Sequence, residues 1–183
     1  AVNNPNAFFH GRSFDRAEYD AARMIADPLA LFDCCQESDG ASAIILTTPE
    51  RARDLRQPGV TVCGVAQASA PDQEQMTSFY RDEFAAIPEM EIAAKNVYQM
   101  SGLTPDDIDA AVIYDAFSPI VLWQLEAWNF CGFGESGDFV LDGALRADGR
   151  LPTNTHGGQL SEAYIHGVNG LVEATRLVRG QSL

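Results

Sequence analysis

Two segments of this chain carry side chains suited to moving protons. The first is Asn154–Gly170, NTHGGQLSEAYIHGVNG, which sets His156, Tyr164 and His166 among four glycines in seventeen residues. Glycine costs conformational entropy on folding, so this density points to close backbone approach or unusual dihedrals. The segment runs into an amphipathic stretch, and a loop-to-helix junction aims unpaired N–H groups at whatever lies in front of it. Backbone donors around Gly157 and Gly158 would suit an oxyanion or enolate; a glycine-rich surface loop capping a helix is the plainer alternative. The second segment is Ile113–Ser118, IYDAFS, where an apolar run ends and a helix begins. In α/β proteins such strand ends hold reactive groups. Tyr114 is there either as a proton donor or acceptor, or as an edge aromatic with its hydroxyl in water. Asp115 either joins the site or caps a helix.

Other candidates are weaker. His10 lies in a polar, loop-like start. Cys34 and Cys35 are flanked by Asp33 and Glu37, whereas a thiolate needs an electropositive setting, so both read as structural. With Cys63 and Cys131 they form no C-x-x-C and no histidine spacing suited to zinc. Buried, reduced thiols in a cytoplasmic protein are expected, with no metal. There is no P-loop, G-x-G-x-x-G or Ser-His-Asp order.

The elements that must position these residues alternate between strand and helix. Residues 1–20 read as loop, and Tyr19 to Ala26 as a short helical turn ending at Asp27-Pro28. Strands are expected at ASAIILTT, from Ala41, and at VTVCGVAQAS, from Val60. Between them Thr48-Pro49-Glu50 is a helix start with an N-cap and a proline at its first position. Residues 71–83 read as a lid or linker. A helix is expected from Phe84 to Met100, closed by Ser101-Gly102, then a turn with a helix-start pattern at LTPDDID. A strand at Ala110–Ile113, a helix from Pro119 to Phe130, a short strand at Phe139–Leu141 and a last helix from Ser161 to Arg179 follow. Alternation of this kind implies an α/β fold with both sheet faces covered.

Composition bounds the function. At 183 residues, 46% hydrophobic and 21% charged, the chain has the length and makeup of one globular domain. Its 26 acidic residues against 12 basic ones give a net charge of −14, which argues against nucleic-acid binding, since phosphate neutralisation needs clustered Lys and Arg. No apolar run approaches the roughly 18 residues of a membrane span. There is no leader pattern, and both ends look cut from something longer.

Taken together, the segments resemble the thiolase superfamily, in its sterol-carrier and lipid-transfer-protein branch. RMIADPLALFDCCQESDGASAIILTTPERARDL looks like the stretch leading into the last strand of the first thiolase half. YDAFS occupies the place of the His-Asp-Cys-Phe-Ser or Asn-Glu-Ala-Phe motif. NTHGGQLSEAYIHGVNG occupies that of Asn-Pro-x-Gly-Gly…Gly-His-Pro-x-Gly-Ala-x-Gly. The resemblance implies a layered α/β/α/β/α fold, with residues 1–70 ending the first half and 71–183 forming most of the second. It implies coenzyme A thioester substrates with no further cofactor, a homodimer, and an OB-fold acyl-CoA-associated partner.

The departures from the thiolase pattern redirect the chemistry. Tyr164 stands where the Gly-His-Pro histidine would be, Tyr114 where the other motif has His or Asn, and His166 falls two positions past the catalytic place. The thiolase nucleophile belongs to the first half. Tyrosines in those two places resemble thiolase-like aldolases of bacterial steroid side-chain degradation. That likeness implies retro-aldol cleavage of a β-hydroxyacyl-CoA to propionyl-CoA and a 17-ketosteroid, without a covalent intermediate. Tyr114 and Tyr164 would be the acid and base, in an order the sequence leaves open. Asp115, His156, Gly157, Gly158 and His166 would bind the substrate or its oxyanion. A sterol-carrier-type 3-ketoacyl-CoA thiolase and a non-catalytic acyl-CoA or lipid-binding scaffold are the alternatives.

Overall fold

Asp15 begins the first regular element: its carboxylate accepts from the Glu18 N–H, and the Glu18 carboxylate accepts from the Asp15 N–H. This reciprocal cap starts α1 (Arg16–Asp20), inside a stretch expected to be loop. The expected turn of helix from Tyr19 to Ala26 is instead the end of α1 and strand β1 (Met24–Ala26). β1 pairs antiparallel with β2 (Leu29–Ala30) around a cis Asp27–Pro28 peptide. A computed structural model describes residues 4–73, 81–83 and 86–182. The chain forms two compact units, Ala1–Thr61 with Ala110–Ile120 and Pro152–Leu183, and Val62–Asp109 with Val121–Leu151.

In the first unit, Thr48 caps the single-turn α2 (Pro49–Ala52), as its Thr-Pro start predicts. α4 (Ser118–Ala127) starts here, and its residues from Val121 onward belong to the second unit. The expected last helix, Ser161 to Arg179, is two helices: α6 (Gly158–Ser161) and α7 (Val168–Val178). The reason is local, because His166 and Gly167 adopt φ of 59° and 82°, which no right-handed helix accommodates. Tyr164 therefore lies in a loop between helices rather than at a helix entrance.

The second unit packs around Leu125, which is wholly buried, with Ala94, Phe130 and Leu151. α3 (Pro88–Ser101) starts at a proline and ends where Gly102 turns left-handed; Phe84 and Ala85 of the expected helix lie outside the described residues, as do residues 74–80 of the expected lid or linker. Thr104 and Asp107 cap a one-turn 3-10 helix at Pro105–Asp107. The Tyr98 hydroxyl donates to the Trp128 carbonyl at 3.0 Å, joining α3 to the end of α4. The strand expected at Phe139–Leu141 is part of helix α5 (Ser136–Leu141). Three apolar residues in a row fit either structure, and the bond from the Phe139 N–H to the Glu135 carbonyl decides for helix.

The strands expected at residues 41–48, 60–69 and Ala110–Ile113 carry no ladder among the described residues. A strand exists through its hydrogen-bonded neighbour, and among the described residues these segments carry one isolated bridge, Ala111 with Thr153. Ile45 and Leu46 are 88% and 80% exposed. No helix of the described residues is long and apolar enough to cross a membrane.

Beyond the β1–β2 pair, polar side chains tie the first unit together. Asp33 is buried and accepts from the Ser118 hydroxyl at 2.6 Å, the Tyr19 hydroxyl at 2.8 Å and the Ala30 N–H at 2.9 Å. The Cys35 N–H then donates to the Ala116 carbonyl at 2.9 Å, next to the residues Tyr114 and Asp115. Burial pushes the Asp33 carboxyl up, but the hydrogen bonds from Ser118, Ala30 and Tyr19 outweigh it and hold the group below the usual carboxylate range. A lowered folded-state pKa contributes stability that is present above the unfolded value and lost as pH falls through the folded one. Asp33→Asn is therefore expected to melt below the wild type at neutral pH. The gap should narrow as pH drops below about 4; coincident melts at neutral pH would refute the role.

Candidate active site

The two proton-handling segments are brought side by side by backbone pairing. The Ala111 N–H donates to the Pro152 carbonyl at 2.9 Å and the Asn154 N–H to the Ala111 carbonyl at 3.0 Å. The Asn154 side-chain amide continues the pairing, accepting from the Ile113 N–H and donating to the Ile113 carbonyl at 2.9 and 3.0 Å. A side chain here completes what a further strand residue would supply.

Asp115 locks the join. Its buried carboxylate accepts from the Gln159 N–H at 2.7 Å and the Leu160 N–H at 3.4 Å, at the start of α6. It is thus a helix cap, but of a helix 40-odd residues away in sequence rather than of α4. Burial raises its pKa, opposed by those two N–H groups and by His156. Gly158 has φ +62°, and a Cβ there would sit 2.0 Å from Asp115 Oδ2, so glycine is needed both for the turn and for the close approach.

Tyr114 and Tyr164 meet above this anchor. Their hydroxyls share a hydrogen bond of 2.9 Å, and the Tyr164 hydroxyl shares another of 2.9 Å with His166 Nδ1. His166 occupies the left-handed region, which histidine enters more readily than most side chains. With Gly167, it folds the chain back so that its ring returns to Tyr164. The Tyr164 N–H donates to the Ser38 hydroxyl at 3.3 Å, and Asn169 on α7 donates to the Ala163 carbonyl and to Glu162. Burial, then the hydrogen bond with Tyr164, pushes the Tyr114 phenol well above its ordinary range. Tyr114 therefore stays protonated.

A cavity of about 370 Å³ opens beside the pair, with Tyr114, Asp115, His156, Gln159, His166 and Asn169 among its lining. His156 is buried, its carbonyl accepts from Asn4 at 2.8 Å, and its Nε2 lies 3.7 Å from Glu162. The buried Gln159 side-chain amide has no hydrogen-bond partner among the described residues.

The fold therefore gathers Tyr114, Tyr164 and His166 into one hydrogen-bonded chain, with Asp115 and His156 lining the cavity beside it. Of the backbone donors near the expected oxyanion site, the Gly157 N–H donates to the Asn154 carbonyl at 2.8 Å, and those of Gln159 and Leu160 donate to Asp115. Ser38, Gln159 and Asn4 escaped sequence reasoning. Single polar residues far from a motif carry no local signal, although Gln159 sits within the glycine-rich segment itself. Burial raises the thiols of Cys34 and Cys35, with neighbouring Asp33 adding to the first and Cys34 to the second, which suits structural cysteines. The expectation of buried thiols is not met: Cys34, Cys35 and Cys131 are half-buried and Cys63 is exposed. Among the described residues no group of three His, Cys, Asp or Glu side chains could hold a metal ion.

Comparison with known proteins follows the same lines. The family model of the thiolase C-terminal domain-like proteins matches residues 69–183. The steroid side-chain-cleaving aldolase of Thermomonospora curvata is 53% identical over 183 residues, 100% of this chain and 47% of that protein. The 17-hydroxy-3-oxo-4-pregnene-20-carboxyl-CoA lyase of Mycobacterium tuberculosis is 51% identical over the same span, again 47% of that protein. A chain of the solved Ltp2-ChsH2(DUF35) aldolase superposes with a TM-score of 0.96 at 53% identity, covering 100% of this chain and 48% of that one. The chain thus spans about half the length of the curated relatives it matches.

The anchor can be tested on its own. Asp115→Ala leaves the Gln159 and Leu160 N–H groups without their acceptor and should cost about 1–2 kcal/mol, as lost helix caps do. Asp115→Asn, which keeps one acceptor oxygen, should cost less. Denaturant melts of the two variants that ranked the other way would refute the capping role.

Proposed function

The chain belongs to the thiolase C-terminal domain-like family, and from that premise we propose that it forms the tyrosine-bearing half of a retro-aldolase. The substrate is a steroid side chain carried as a β-hydroxyacyl-CoA, and the products are propionyl-CoA and a 17-ketosteroid. One observation carries this reading: two tyrosine hydroxyls lie 2.9 Å apart, with Tyr114 lining a cavity, at positions that resemble those where thiolases set a histidine and a His or Asn. The names of the two relatives, one an aldolase and the other a carboxyl-CoA lyase, support it.

The chemistry divides between the tyrosines by their surroundings. Tyr114, kept protonated by burial, donates: it holds the thioester enolate and delivers a proton to its carbon. Tyr164 takes the proton from the β-hydroxyl as it gives up its own along the hydrogen bonds its hydroxyl makes. The oxygen then forms a ketone, the Cα–Cβ bond breaks, and its electron pair enters the enolate. No covalent enzyme intermediate is needed, so no nucleophilic cysteine is required. Asp115, Gly157 and Gly158 shape the turn beneath the pair, while His156 and His166 face the substrate cavity. In this reading residues 1–70 close the first thiolase half and 71–183 form most of the second. The protein acts in the cytoplasm as a homodimer with an OB-fold acyl-CoA-associated partner; the likeness to a chain of the Ltp2-ChsH2(DUF35) aldolase supports a partner of some kind.

Tyr114→Phe and Tyr164→Phe, each made in the full chain with its partner, should slow propionyl-CoA release by about 10²-fold or more. Melting should stay close to wild type. Near-normal release from both variants would overturn the reading.

A further inference from the structure

Tyrosine is a poor base unless something takes its proton, since its reference pKa lies near 10. Among the described residues, the group hydrogen-bonded to the Tyr164 hydroxyl besides Tyr114 is His166 Nδ1 at 2.9 Å. We propose that His166 accepts the Tyr164 phenol proton as Tyr164 takes that of the substrate hydroxyl, so that the two work together as the base of the cleavage. The inference rests on the retro-aldol reading and assigns His166 as a positioning residue, acting on substrate through Tyr164.

The geometry supports a directed chain. The His166 ring centroid lies 5.5 Å from that of Tyr164 and 5.8 Å from that of Tyr114, with its backbone turned left-handed at φ 59° to bring the ring back. His166 itself is exposed, so an N–H on Nε2 can exchange with water while Nδ1 accepts from the phenol. Tyr114 stays protonated and donates to Tyr164, and Tyr164 donates to His166. The steps then balance. The β-hydroxyl proton moves to Tyr164, and the Tyr164 proton moves to Nδ1. The O–H electron pair becomes the ketone π bond, and the Cα–Cβ pair becomes the enolate. Tyr114 protonates the enolate carbon, and the imidazolium proton returns through Tyr164 to Tyr114. No proton is consumed and no co-reactant is needed. The other titratable groups facing this arrangement are Asp115 and His156 in the cavity, with Cys35 acting on Tyr114.

The test uses the full chain with its partner and two substitutions, His166→Ala and His166→Gln. Both should lower kcat by about 10²-fold, the scale of a lost general base, with KM changed little. The rise of activity through the pH range where imidazoles titrate should disappear in both, and added imidazole should restore part of the His166→Ala rate. Full activity in His166→Gln, which keeps a hydrogen-bond acceptor without basicity, would show a purely structural role and overturn the proposal. So would an unchanged rate and pH profile in His166→Ala. A wild type that releases no propionyl-CoA would instead sink the retro-aldol reading. In that case ¹⁵N NMR of the histidines, assigned with His166→Gln, still decides the inference. A bare, hydrogen-bonded Nδ1 sustains it, and a protonated Nδ1 in the neutral ring overturns it.

Discussion

Everything at the candidate site hangs on the hydrogen bonds from α6 to the Asp115 carboxylate. They join the segment ending in Tyr114 to the segment that carries Tyr164, across more than forty positions of sequence. The contact is costly, because it buries a carboxylate and raises its pKa. Two N–H groups at a helix start compensate that burial, for they are donors that would otherwise be unpaired. The same contact dictates Gly158, since any Cβ there would overlap the carboxylate oxygen.

Around that anchor, polar side chains do what sheet ladders do elsewhere. Asn154 pairs with both backbone groups of Ile113, Asp33 gathers Ser118, Tyr19 and Ala30, and Asn4 and Asn169 both reach Glu162. Most of these bonds span 14 or more positions, with Ala30–Asp33 and Glu162–Asn169 the local ones. They give buried Asp33 and Asn4 the partners that burying a polar group requires. The result is a set of loops held at fixed spacing, on which paired side chains keep their geometry.

The two tyrosines are chemically alike and become different through position. Tyr114 is partly buried against its partner and holds its proton strongly, while Tyr164 sits between it and an exposed imidazole. Acid and base roles separate when neighbouring titratable groups are given unlike surroundings. Here the Tyr114 hydroxyl bonds to that of Tyr164, and the Tyr164 hydroxyl bonds in turn to the exposed His166 ring, so the two phenols have unlike neighbours.

Much of this could be read from residue order. The Thr48-Pro49 helix start, the Ser101-Gly102 stop and the likeness of YDAFS and the 154–170 segment to thiolase motifs all follow from short-range chemistry, because caps, breakers and motif spacings act within a few residues. Tyr114 and Tyr164 were recognisable as a pair through the same motifs. Other features depended on distant partners. The apolar runs at residues 41–48 and 60–69 have strand composition, yet a strand requires a neighbour that composition does not name. The Asp15–Glu18 cap, by contrast, lies within residues 1–20, which read as loop. His166 shows the difference most clearly: counted along the chain it stands two positions past the catalytic place, and the left-handed turn at His166 and Gly167 returns it to Tyr164. The order of residues determined which groups were present and which family frame they fit. Only the tertiary structure decided which of them touch, because positive φ, side-chain pairing and burial are properties of the folded backbone rather than of spacing along it.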